Sequence, residues 1–68
     1  MSPANQAQHE SLLRRAAAHH QLAAHAREAA GYADSAQARE MDEKSARSHS
    51  QAAFDLEQQA AALMEQDP

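Results

Sequence analysis

The composition of the chain favours helices over every other kind of regular structure. Alanine occupies 19 of the 68 positions, valine and isoleucine are absent, and both prolines, Pro3 and Pro68, lie near the ends. Alanine loses least on entering a helix, whereas β-branched residues favour strands. Gly31 is the one glycine in the sequence. We therefore expect an all-α fold whose interruption, if it has one, lies near Gly31.

The length of the chain limits how it can be stabilised. A chain of 68 residues is expected to form one domain, and it buries only about 60% of its unfolded surface. Domains of this size usually need disulfides, a structural metal or oligomerisation. Because cysteine is absent, a metal bound through histidine or a partner chain remains. We expect one domain over residues 1–68, with helix one over about 5–31, a turn over about 31–35 and helix two over about 36–65.

Two apolar seams with period-seven spacing predict that the helices pack along their length. The seam of the first half consists of His9, Leu12, Ala16, His19, Ala23, Ala26, Ala30 and Ala33. The seam of the second half consists of Ala46, His49, Ala53, Leu56, Ala60 and Leu63. Since most of these side chains are small, the helix axes can approach closely, and the few leucines carry much of the hydrophobic energy.

The apolar arc of helix two is too wide for one neighbouring helix. Phe54, Ala61 and Met64 form a second stripe beside the seam, so that two helices alone would leave Phe54 or Leu56 partly exposed. We therefore expect a two-helix antiparallel hairpin that forms a homodimer, with the four helices packed as an antiparallel four-helix bundle. The predicted interface residues are Leu12, Leu13, Leu22, Ala53, Phe54, Leu56, Ala60, Leu63 and Met64.

The stretch GYADSAQARE predicts the turn of the hairpin. Gly31 would end helix one in a left-handed conformation, and Tyr32 would lie near the turn, off the seam. Helix two would be capped by Asp34 together with Gln37, or by Ser35.

The charges favour a hairpin over the alternative fold, one continuous helix. A hairpin folded at this turn sets Arg14 opposite Asp55 and Arg27 opposite Asp42. The alternative is one continuous helix of about 60 residues in a long coiled coil, since a glycine within a helix costs only about 1 kcal/mol.

The charge balance and the missing motifs exclude several classes of function. Six Lys/Arg against ten Asp/Glu give a formal net charge of -4, which argues against a nucleic-acid partner. The start of the sequence lacks the pattern of a signal peptide, so we expect none, and no apolar run reaches the roughly 18 residues needed to span a membrane. It has no phosphate-binding loop, no nucleophile elbow and no di-iron motif. We expect a non-enzymatic, cytoplasmic protein without a membrane partner.

The five histidines are candidate metal ligands, although their spacing gives no site on one helix. They are His9, His19, His20, His25 and His49. A helix chelates a metal through residues three or four apart, and no two of these histidines have that spacing. Across the hairpin, however, His19 and His49 occupy comparable levels. Joined by His20 or by a second copy, they would offer zinc, copper or nickel three or four nitrogens.

Two other interpretations of the histidines remain open. In the first, the histidines fill polar gaps in a thin alanine core, where each ring forms a hydrogen bond with a nearby serine or glutamine or reaches solvent. If His19 or His49 is buried and neutral, acid would loosen the bundle, because the charged ring is poorly solvated there.

The stretch HHQLAAHAREAAGY resembles small bacterial alanine- and histidine-rich helical proteins built on HH-x-x-AA repeats that are followed by an Arg-Glu-Ala-Ala step. The likeness covers roughly residues 16–53. Those proteins commonly carry more histidine, and a Gly-Asp turn where this chain has ADS. The resemblance implies a helical hairpin of uncharacterised role and carries over no functional residues.

Three classes of function follow from the sequence. The first and preferred one is a self-associating structural or interaction module. The second is histidine-based binding or buffering of zinc, copper or nickel. The third is a small regulatory protein that docks as a helix pair on a larger protein. An exposed apolar patch on the oligomer would favour the third class, and a dry, closed bundle the first.

Overall fold

The computed structural model describes residues 2–66, which form two long helices joined by a short turn. Helix α1 spans Pro3–Gly31 and helix α2 spans Ala36–Gln66. The two helices pack against each other along an elongated body of 52 × 14 × 10 Å. The prediction of an all-α fold with two packed helices is confirmed, and the continuous helix is wrong. Helix α1 begins two residues earlier, and α2 ends one residue later, than the sequence pattern indicates.

Serine side chains cap the start of both helices. The Ser2 hydroxyl accepts a hydrogen bond from the backbone N–H of Asn5 at 3.2 Å, and Pro3 occupies the first turn of α1, where a missing N–H costs nothing. The Ser35 hydroxyl accepts from the backbone N–H of Ala38 at 3.1 Å. Of the two caps that the sequence offered for α2, the structure uses Ser35 and not Asp34.

The end of α1 differs from the expectation for Gly31. Gly31 is the last residue of the helix, and no residue within 2–66 has a positive φ. The helix ends at Tyr32, with φ −107° and ψ 5°, whose backbone N–H bonds to the carbonyl of Ala29 at 3.1 Å. This conformation has a negative φ and does not require glycine. The predicted left-handed cap at Gly31 is therefore wrong, because the chain leaves the helix through a right-handed turn.

The core is the zone where the two seams face each other, and it is made of small side chains. Every buried residue in the described chain lies on a predicted seam: Leu12, Ala16, Ala23, Ala30, Ala46, Ala53, Leu56 and Ala60. Six of these eight residues are alanine. Packing therefore depends on close approach of the helices rather than on large apolar side chains.

Apolar burial is concentrated at one end of the hairpin. Leu12, Ala16, Ala53, Leu56 and Ala60 form one buried cluster, and Leu63 packs against it. We call the part outward from Ala16 and Ala53 toward the chain ends the open-end half, and the part from Ala23 and Ala46 to the turn the turn half. Neither described helix is long and apolar enough to cross a membrane.

Candidate functional site

His19 and His49 meet at the boundary between the two halves of the hairpin. Their Nδ1 atoms lie 2.9 Å apart, with ring centroids separated by 5.1 Å and ring planes inclined by 32°. The centroid separation nearly equals the nitrogen–nitrogen distance plus one ring radius on each side, so each Nδ1 points at the other. This is the geometry of an N–H···N hydrogen bond, in which one ring donates its Nδ1 proton to the lone pair of the other.

Alanines surround this histidine pair on both helices. Ala16 and Ala23 lie three residues before and four residues after His19, and Ala46 and Ala53 lie in the same relation to His49. All four alanines are buried, while both imidazoles are half-buried. Each helix thus contributes the same pattern, A-x-x-H-x-x-x-A, to one layer of the interface.

The histidine pair has no competing partners. Within residues 2–66, neither ring forms a hydrogen bond other than the one that joins them. The pair therefore offers two nitrogen atoms, one from each helix, that are engaged only with each other.

The structure brings together two of the three predicted metal ligands. His20 lies beside the pair in sequence but on the outer edge of the hairpin, where its Nε2 is 3.3 Å from Oε1 of Glu57. His9 is half-buried and His25 is exposed. In the described chain, no group of three or more histidine or acidic side chains is arranged to hold a metal ion.

A second feature is a long edge of the hairpin that repeats every seven residues. It contains Leu13, His20 and Arg27 of α1 and Ser50, Glu57 and Met64 of α2; we call it the Leu13 edge. Besides the contact between His20 and Glu57, Nη2 of Arg27 donates to the Ser50 hydroxyl at 2.7 Å. Leu13 lies seven residues before His20, and Met64 lies seven residues after Glu57, so the same register sets Leu13 opposite Met64.

The ion pairs predicted from the hairpin register do not form. Arg27 donates to Ser50 instead of pairing with Asp42, and Asp55 accepts from Nε2 of Gln51 at 2.9 Å instead of pairing with Arg14. Exposed charged side chains are long and gain little from a fixed partner, so the seam register does not determine which of them meet. The pairing along the Leu13 edge was not predicted from the sequence. Each residue of this edge directly follows a seam residue in its helix, and this shared spacing could have indicated that the two rows meet.

Large apolar side chains remain on the surface of the hairpin. Leu13 is 42% exposed, Phe54 54% and Met64 58%. Phe54 lies three residues before Glu57, next to the Leu13 edge, whereas Leu22 is exposed on the opposite side of α1.

The predicted interface residues divide into an inner and an outer group. The inner group lies between the two helices of one chain and consists of Leu12, Ala53, Leu56 and Ala60, with Leu63 half-buried beside them. The outer group remains exposed and consists of Leu13, Leu22, Phe54 and Met64.

Comparison with known proteins adds no relative. No family model, curated protein or solved structure matches the chain. The resemblance to alanine- and histidine-rich helical proteins therefore stays a prediction.

Proposed function

We propose that the chain is a non-enzymatic, self-associating helical module whose partner is a second copy of itself. In the homodimer, two hairpins overlap as an antiparallel four-helix bundle. The observation that carries the proposal is the surface that one hairpin leaves accessible.

The accessible surface of one hairpin is too large for its mass. It amounts to 4931 Å² for a chain of 7.4 kDa. A folded monomer of that mass exposes about 4,200 Å², which leaves an excess of about 700 Å². A standard protein–protein interface buries about 800 Å² on each partner. A second copy that buried an area equal to this excess on each chain would therefore form an interface of ordinary size.

The exposed apolar residues indicate where the second copy packs. Leu13 and Met64 lie at the open end of the Leu13 edge, and Phe54 lies beside it on α2. A twofold dimer places the same patch of each chain against itself, so a patch that is apolar on one copy meets an apolar surface on the other. Overlap of the two open-end halves would bury these three side chains and set four helices side by side.

Sedimentation equilibrium of the purified, untagged chain tests the proposal. We expect a dimer for the unmodified chain and a monomer, or a much weaker dimer, for the Phe54→Glu/Met64→Glu double variant, because a carboxylate at each position would have to be desolvated in the interface. Met41→Glu is the matched control, since Met41 is exposed to a similar degree but lies in the turn half. Circular dichroism establishes that all three chains remain helical.

A monomeric unmodified chain contradicts the proposal, as does a dimer that both glutamate substitutions leave intact. A dimer lost equally in the Met41→Glu variant would also contradict it, because association would then not depend on the open-end patch.

A further inference from the structure

We propose that His19 and His49 form a two-imidazole binding site for one divalent late transition-metal ion, with copper(II) preferred over nickel(II) and zinc(II). Both ligands come from one chain, so the site does not depend on the proposed dimer. Two nitrogen atoms already lie 2.9 Å apart at the interface of the two helices, with no other partner in the described chain.

The two nitrogens are close enough to share one ion. With metal–nitrogen bonds of about 2.0–2.1 Å, two ligands at a right angle are about 2.9 Å apart, and two ligands at the tetrahedral angle about 3.3–3.4 Å. The Nδ1 atoms lie 2.9 Å apart in the hydrogen-bonded pair, so either geometry needs only a small change in their separation. The preference for copper(II) rests on its affinity, because copper(II) binds nitrogen ligands most tightly among the divalent ions of the series.

The rings must change orientation before a metal binds, and their surroundings permit this. In the hydrogen-bonded pair the two Nδ1 atoms point at each other, whereas a metal needs both lone pairs to converge on one point beside the line that joins them. Rotation of each ring about its Cβ–Cγ bond achieves this. The neighbours along the seam are Ala16, Ala23, Ala46 and Ala53, which are the smallest side chains that a packed helix interface offers.

The proton between the rings must also move. One ring carries its proton on Nδ1, and that proton exchanges through solvent to Nε2 of the same ring, so that both Nδ1 lone pairs become free. The neutral pair then binds the cation with no net release of a proton. Half-burial of both rings leaves the metal open to water, which completes its coordination.

Titration of the full chain with copper(II) ion alone tests the site. We expect one ion to bind per chain, with an electron paramagnetic resonance spectrum that shows two nitrogen ligands. His19→Gln and His49→Gln should each weaken binding by at least about tenfold, since even loss of an outer-shell partner costs a metal site that much. His25→Gln is the matched control because His25 is an exposed histidine of the same helix as His19. It should leave the affinity unchanged.

A second measurement keeps the test independent of any effect of the substitutions on folding. Metal that joins two helices raises the thermal midpoint of the unmodified chain and of the His25→Gln variant, but not that of the His19→Gln or His49→Gln variant. Equal copper binding by all four chains would overturn the proposal, because the ion would then be held by exposed histidines. Loss of the two-nitrogen spectrum in a His20→Gln variant would also overturn the proposal, because His20 is not one of its two ligands.

Discussion

The two halves of the hairpin are held together in different ways. In the open-end half, Leu12 and Leu56 are buried and Leu63 packs against them. In the turn half, the buried side chains are alanines: Ala23, Ala30 and Ala46. The covalent turn joins the helices where apolar burial is smallest, and leucines join them where the chain is open. Apolar burial is therefore largest at the end of the hairpin that lies farthest from the connecting turn.

Large exposed apolar side chains occur in both halves, Met41 being one in the turn half, but those on the Leu13 edge lie at the open end. Leu13 and Met64 lie beside the leucine cluster, whereas the residue of this edge in the turn half is the charged Arg27. One half therefore holds both the larger part of the core and the surface that a second copy would cover. In the proposed dimer, stability and association would depend on the same end of the molecule.

Leu56→Ala should have the largest effect on stability. Removal of a buried leucine costs about 2–5 kcal/mol through lost burial and the cavity that remains, and alanine keeps the helix propensity of α2. Urea denaturation followed by circular dichroism, at one fixed protein concentration, measures the change. Met41→Ala is the control, because Met41 is exposed in the turn half. Equal losses in the two variants would show that the leucine cluster does not dominate the core.

Ala46→Leu should destabilise the turn half by less, about 1–3 kcal/mol, because the larger side chain forces the closely packed helices apart. Ala24→Leu places the same side chain on an exposed position of α1 and should change stability little. The same denaturation experiment compares them. If Ala46→Leu stabilises the chain, the helices are not in close contact near the turn.

Ser35→Ala should cost about 1 kcal/mol, within the range for loss of a helix cap, because the N–H of Ala38 loses its partner. Ser48→Ala is the matched control, since Ser48 is an exposed residue inside α2. The difference between the two midpoints in urea isolates the cap. A loss no greater in Ser35→Ala than in the control contradicts this role.

Gly31→Ala should have the smallest effect and the opposite sign. Gly31 is the last residue of α1, and a Cβ there would lie in open space, with no side chain or packed segment within 4 Å beyond its own helix turn and chain neighbours. Alanine at a compatible position stabilises by about 0.4–1 kcal/mol, chiefly by restricting the unfolded chain. A higher midpoint in thermal unfolding is therefore expected. A lower one would mean that the helix end needs the freedom of glycine after all.

The sequence predicted the seams well and the surface poorly, for a physical reason. Period-seven spacing determines which residues are buried, and once the turn is placed it determines that His19 lies level with His49. The partners of Arg27 and Asp55 could not be predicted, because exposed charged side chains choose among several acceptors that differ little in energy. The conformation of Gly31 was also missed, since glycine permits a left-handed cap without requiring one.

The sequence predicted that His19 and His49 lie at the same level of the hairpin, but not that their rings form a hydrogen bond. Register brings two side chains to the same level, whereas the 2.9 Å contact between the Nδ1 atoms depends on ring orientation and on how closely the alanine seam lets the helices approach. The third predicted ligand, His20, directly follows the seam residue His19 and therefore lies on the Leu13 edge, where it contacts Glu57.

The proposed dimer requires that a second copy cover the open-end half of each hairpin. The thermal midpoint of the untagged chain as a function of protein concentration tests this most directly, because association stabilises the folded state by mass action. We expect the midpoint, followed by far-ultraviolet circular dichroism, to rise steadily with concentration, and to stop rising in the Phe54→Glu/Met64→Glu variant. A midpoint of the unmodified chain that is independent of concentration would contradict the claim.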